Sequence, residues 1–156
     1  MLITTHVASG ALVGRLTRRP AAALVLGVVS HLALDRVPHW GRPGTGGPPP
    51  GMDAEALRVA RVDGLTGLAV IAALVAATSR RHRPAVLAGV VGACLPDLDK
   101  PSELFFGRSP YPAWFDDRHA RLQAGREFPH HLRRDAAVAL AGAVAVVAAL
   151  RRDPRA

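Results

Sequence analysis

DAAVALAGAVAVVAAL, residues 135–150, and GLTGLAVIAALVAAT, residues 64–78, decide how this chain folds. Their Ala and Leu content favours helix. In neither does a polar side chain recur every three or four positions, so a helix built from them has no face to offer water. Such a helix belongs in lipid or inside a large core, and 156 residues leave too little other material to surround several of them. Five apolar stretches can be marked, at residues 2–16, 21–37, 64–78, 85–96 and 136–150. Gly- and Pro-rich or charged sequence separates them. The expected architecture is all-α, one domain over residues 1–156. It is a bundle of about four to five membrane-associated helices, capped by irregular loops at residues 38–62 and 97–134. Each run falls short of the roughly 20 residues that cross a bilayer. Extending the runs into their flanking His, Asp and Thr residues brings most of them to that length. The polar groups would then lie near the interface, where ionisable side chains are tolerated if they pair or hold a metal.

Composition agrees with this reading. Nearly half of the residues are apolar while aromatics make up 4%, which suits closely packed helices better than a β-rich core. Cys94 is the only cysteine and stands in the apolar run AVLAGVVGACL, which excludes an intrachain disulfide and a CxxC metal site. The formal charge of +8 invites a nucleic-acid reading. The basic residues, however, sit in clusters bordering apolar segments: Arg15, Arg18 and Arg19; Arg80, Arg81 and Arg83; Arg151, Arg152 and Arg155. That distribution is membrane-flanking charge, with no basic face for nucleic acid. Arg far outnumbers the single Lys, Lys100, which resembles the codon bias of a high-GC bacterium. Residues 17–30, TRRPAAALVLGVVS, loosely resemble a twin-arginine signal but are followed by no clean cleavage site.

If the Arg clusters are cytoplasmic, the apolar runs alternate across the membrane. His6, His31, Asp35, His39, Asp63, Asp97, Asp99, His130 and His131 then fall on one side, the extracytoplasmic side of a bacterial inner membrane. Within SHLALDRVPHW, residues 30–40, His31 and Asp35 are four apart and so share one helix face. An imidazole nitrogen and a carboxylate oxygen can converge there on one ion. Pro38 ends or kinks the helix and redirects His39. The same spacing also suits a buried His–Asp hydrogen-bonded pair. In GACLPDLDKP, residues 92–101, Pro96 stops a helix and presents Asp97 and Asp99 beyond it, as oxygen ligands, as a general base, or as ordinary turn and cap residues. Asp63 reads as an N-cap of the helix that follows it, and His82 and His119 read as solvated members of charged runs. No GxSxG elbow and no HExxH occurs, which argues against serine-hydrolase and zincin chemistry. GRPGTGGPPPG, residues 41–51, lacks a phosphate-binding ending and reads as a loop.

Thr5, His6 and Gly10 as THxxxG, the SHxxLDxxPHW block from Ser30 to Trp40, Asp63, the Pro96–Asp99 PDLD and a late His pair together resemble bacterial membrane-bound metal-dependent hydrolases. More distantly, the HxxxD helix followed by another His resembles zinc-dependent phospholipase C and S1/P1 nucleases, although the HxxxE helix of those enzymes is not found. The first resemblance implies a site for zinc or a similar divalent ion built from His6, His31, Asp35, Asp97, His39 and His130. It also implies hydrolysis of a phosphoester or lipid-like substrate, with Asp97 or Asp99 orienting or deprotonating a metal-activated water. Relatives in that family often carry an HRxxTHS-like element near the C-terminus, where this chain has only Phe128, Pro129, His130 and His131. Two other classes stay open: a non-enzymatic membrane protein whose His/Asp cluster is structural, and a soluble Arg-rich nucleic-acid-binding bundle.

Overall fold

The computed structural model describes residues 1–41 and 54–151, and among them the chain is all-α. The helices are α1 (Ile3–Thr17), α2 (Pro20–Leu34), α3 (Ala54–Ala77), α4 (Arg83–Cys94), α5 (Asp99–Phe106), α6 (Ala113–Gln123) and α7 (Leu132–Arg151). Short 3-10 turns at Leu95–Leu98 and Pro129–His131 precede α5 and α7. The loop expected at residues 41–51 lies, beyond Gly41, outside the described residues, as do Arg152 and Arg155 of the last basic cluster.

Local sequence explains most boundaries. Pro20 opens α2 and Pro84 lies in the first turn of α4, where a missing N–H costs nothing. Gly107, at φ +70°, closes α5 with its N–H on the Glu103 carbonyl, the left-handed cap that glycine adopts most readily. α1 closes the same way on Arg18, at φ +56°. α1 has no side-chain cap of its own. Asp63 supplies one from inside α3, accepting from the Ile3 N–H at 2.5 Å, the Thr4 N–H at 3.3 Å and the Thr4 hydroxyl at 2.7 Å. Asp63 thus does cap a helix, but α1 and not its own, because α3 begins nine residues before it at Ala54.

α1 packs against α2, α3, α4 and α7, and α2 against α4. Val7, Ala11, Leu74, Val86, Val90, Val146 and Leu150 form the core. The contacts of α4 with α1 and α2 are backbone to backbone. A methyl group on Gly10 or Gly27 would strike the Gly89 carbonyl, and one on Gly92 would strike the Leu24 carbonyl. Glycine is required there for closeness, and the approach brings the end of α2 against the end of α4.

Outward, the helices carry exposed Leu12, Val25, Val29, Leu65, Leu68, Val91, Leu140 and Val144. By length and apolarity only α3, among the described residues, is sufficient to cross a membrane. α1 and α2 have 15 residues each and α4 has 12, against the roughly 20 needed. α7 has 20 residues but opens on Leu132-Arg133-Arg134-Asp135. The loops expected at 38–62 and 97–134 are also partly helical. Residues 54–62 belong to α3, and the second stretch holds α5 and α6. The mixed charge that suggested a loop is the exposed side of α6, whose inner side carries Phe115, His119 and Gln123 at four-residue spacing.

Candidate metal centre

The site lies where the C-terminal end of α2, the N-terminal turn of α1, the turn after α4 and α6 meet. α2 presents His31 in its last turn and Asp35 at its C-cap. The two are four apart and face the same way, with His31 Nε2 3.0 Å from Asp35 Oδ2. The 3-10 turn begun at Leu95 and Pro96 brings Asp97 over them, its Oδ1 3.8 Å from His31 Nε2. α6 closes the group with His119, whose Nε2 is 3.1 Å from Asp35 Oδ2, 3.2 Å from His31 Nε2 and 3.8 Å from Asp97 Oδ1. One ligand atom from each of His31, Asp35, Asp97 and His119 lies within 4.8 Å of all the others, a group that can hold a metal ion. Three of these residues are buried, and Asp97, whose side chain is 13% exposed, is the point nearest solvent.

Hydrogen bonding orients the His31 ring. The Ala93 carbonyl can only accept, so His31 Nδ1, 2.7 Å away, donates its proton there. Its Nε2 faces a carboxylate oxygen and a second imidazole nitrogen. A backbone carbonyl holding the far nitrogen is the arrangement that orients metal-bound histidines. Lone pairs and two carboxylates gathered out of water repel one another unless protons or a cation lie between them. Gln123, four residues after His119, donates its amide to Asp35 Oδ2 at 2.7 Å and so steadies the oxygen that faces both imidazoles.

His6 comes from the first turns of α1 and stacks on His31, with ring centroids 3.9 Å apart. It is fully buried, and neither of its ring nitrogens has a hydrogen-bond partner. Its Nε2 lies 3.4 Å from Asp35 Oδ1, as does the Met1 amino group, and 4.0 Å from Asp97 Oδ2. His39 is also fully buried. Its Nδ1 donates to the Val37 carbonyl at 2.7 Å, and its Nε2 has no partner. Burial lowers its pKa, so the ring is neutral. Residues 38–40 are held by Asp135, which accepts from the Trp40 N–H, and by the Arg134 guanidinium on the Pro38 carbonyl. A backbone bridge completes the hold, with His39 N–H on the Arg126 carbonyl at 2.9 Å and Phe128 N–H on the His39 carbonyl at 2.8 Å.

Of the residues expected to form the site, His6, His31, Asp35 and Asp97 meet, and His39 is buried with no hydrogen bond or ion pair to them. Asp99 is not brought in. It pairs with the Lys100 ammonium at 2.7 Å and its backbone N–H at 2.9 Å, because it stands in the first turn of α5, past the turn that aims Asp97. His130 is exposed and His131 half-buried, in edge-on contact with each other and in tilted contact with Phe128 just before α7. His119, expected to be solvated, is 4% exposed and central. Compared with protein-family models, with curated proteins and with solved structures, the chain matches none.

Proposed function

We propose that the protein is a membrane-bound metal-dependent hydrolase whose ion, zinc by preference, is held by His31, Asp35, Asp97 and His119. The observation that carries this reading is the His31 ring. Its Nδ1 donates to the Ala93 carbonyl, and its Nε2 faces Asp35 Oδ2 at 3.0 Å and His119 Nε2 at 3.2 Å. Two imidazoles with two carboxylates suit zinc, whose common ligands are nitrogen, sulfur and carboxylate oxygen in a tetrahedral shell. A bound divalent ion supplies Lewis acidity and an acidified water. Asp97, the most exposed of the four, is the ligand beside which a water would enter from solvent. Asp99, tied to Lys100, is not so placed.

The resemblance to bacterial membrane-bound metal-dependent hydrolases supports the reaction class and a phosphoester or lipid-like substrate. The outward Leu and Val side chains on α1, α2, α3, α4 and α7 support a lipid surrounding, since apolar exteriors of this extent are not left to water. The inner membrane, with the cluster on its extracytoplasmic side, is the location that follows if the Arg clusters are cytoplasmic.

A structural ion in a non-enzymatic membrane protein is the second reading. It is favoured by the four donors themselves, which suffice for a closed tetrahedral shell, whereas catalytic zinc keeps a position open. The test is to purify the chain from membranes without chelator and measure bound metal alongside hydrolysis of phosphomonoester, phosphodiester and phospholipid probes. Bound zinc with turnover, both lost in His31→Ala and Asp35→Ala, is expected. Zinc without turnover on any probe refutes the enzyme, and a chain that takes up no zinc refutes the site.

A further inference from the structure

The two carboxylates of the cluster are each used on one side only by the ion just described. Asp35 turns Oδ2 toward His31 and His119, at 3.0 and 3.1 Å, and Oδ1 toward His6 and the Met1 ammonium, each at 3.4 Å. Asp97 does the same, with Oδ1 3.8 Å from both His31 and His119, and Oδ2 4.0 Å from His6. His6 itself is fully buried, and its Nε2 has no hydrogen-bond partner. A buried imidazole nitrogen left unpaired is costly, and this one faces the second oxygen of each carboxylate.

From this division we propose a second divalent cation site, formed by His6 Nε2, Asp35 Oδ1 and Asp97 Oδ2, with both aspartates bridging it to the ion held by His31 and His119. The proposal rests on the metal reading above and extends it to a two-ion centre. Its chemical consequence concerns the open position. The first ion has four protein donors, a closed shell, while the second has three and keeps room for water or substrate. Two dications against two carboxylates leave a net positive centre, which suits an anionic oxygen of a phosphate ester bound across both ions. The ligand class inferred is therefore a phosphoryl oxyanion. The ion beside His6 is the one that takes it.

The glycine contacts keep the two halves in place. Gly10, one turn after His6, abuts Gly89, and Gly27, one turn before His31, abuts the same residue, so α1 and α2 are locked to α4 beneath the cluster. His6 and His31 can then stack at 3.9 Å while their Nε2 atoms face different oxygens.

The test is zinc per chain on the purified full-length protein, equilibrated in zinc-buffered solution, for the native chain, His6→Gln and His6→Cys. Electron paramagnetic resonance of the manganese-loaded native chain accompanies it. The native chain is expected to hold two zinc ions, His6→Gln one, and His6→Cys two, since a thiolate ligates zinc. Manganese is expected to give an exchange-coupled spectrum and not an isolated six-line signal. A native chain holding one zinc, or a His6→Gln chain still holding two, overturns the second site, and so does an uncoupled manganese signal. The one-zinc result leaves the single-ion reading standing. A native chain that takes up no zinc removes both.

Discussion

Gln123→Met separates a metal centre from a buried hydrogen-bonded network, because methionine keeps the length of the side chain and removes the amide. In the native chain that amide donates to Asp35 Oδ2 at 2.7 Å, the oxygen shared by His31 and His119. Losing a partner that orients a metal-binding carboxylate costs about 10- to 100-fold in metal affinity, or about 1.4–2.7 kcal/mol. The effect can be read as stabilisation. At a free zinc concentration about 100 times the native Kd, bound metal raises native stability by about 2.7 kcal/mol. With affinity weakened about 30-fold at the same zinc concentration, the gain falls to about 0.9 kcal/mol. Thermal unfolding in detergent, with zinc and with chelator, should therefore show the zinc-dependent rise in Tm shrink to about a third in the variant. Affinity by competition with a chromophoric chelator should fall in parallel. An equal loss of stability with and without zinc, at unchanged zinc affinity, would refute the reasoning and leave a network whose amide only satisfied a buried acceptor.

Other outcomes follow from the same geometry. Asp63→Ala strips the N-terminus of α1 of its cap and should cost about 0.5–2 kcal/mol, measured as a lower Tm in chelator. His6 sits one turn along from that cap, so the variant should also weaken zinc binding. Arg18→Gly relieves a side chain held at φ +56° and should raise Tm by the equivalent of about 0.5–1 kcal/mol, with zinc content unchanged. Acid should release the metal. Protons compete with the metal for the imidazole nitrogens of the two histidine ligands, so affinity falls as pH is lowered from about 8 to about 5. Isothermal titration across that range should show a slope approaching two protons per ion from this pair, and a pH-independent affinity would exclude imidazole ligation.

What could be read from the sequence divides by the range of the interaction. The helical class was legible because runs such as residues 64–78 carry no alternation and no polar stripe. His31 and Asp35 were legible because a four-residue spacing is a local geometric fact. Asp97 could be assigned only to a turn, and which of Asp97 and Asp99 joins the site depends on the 3-10 turn at Leu95–Leu98, whose exit angle is set by packing. His119 was missed for a specific reason. It stands among Asp116, Asp117, Arg118 and Arg121, and those charges outweighed the spacing of Phe115, His119 and Gln123 that marks the inner side of α6. A helix that is polar outward and carries His and Gln inward looks like a solvated segment until its partner is known. His130 was included because helix alternation and the family resemblance set it beside the other ligands, yet proximity in space is set by where α7 starts. Asp63 shows the same limit, since a capping aspartate is legible but the helix it caps is sixty residues away.

We propose above that imidazole and carboxylate groups of His31, His119, Asp35 and Asp97 hold a metal ion. X-ray absorption at the zinc edge of the purified, zinc-loaded chain tests it most directly. Nitrogen and oxygen neighbours at about 2.0–2.1 Å are expected, with the outer-shell scattering of imidazole rings, which weakens in His31→Ala. A sulfur neighbour at about 2.3 Å, which only Cys94, Met1 or Met52 could supply, or a spectrum of hydrated zinc without imidazole, would contradict it.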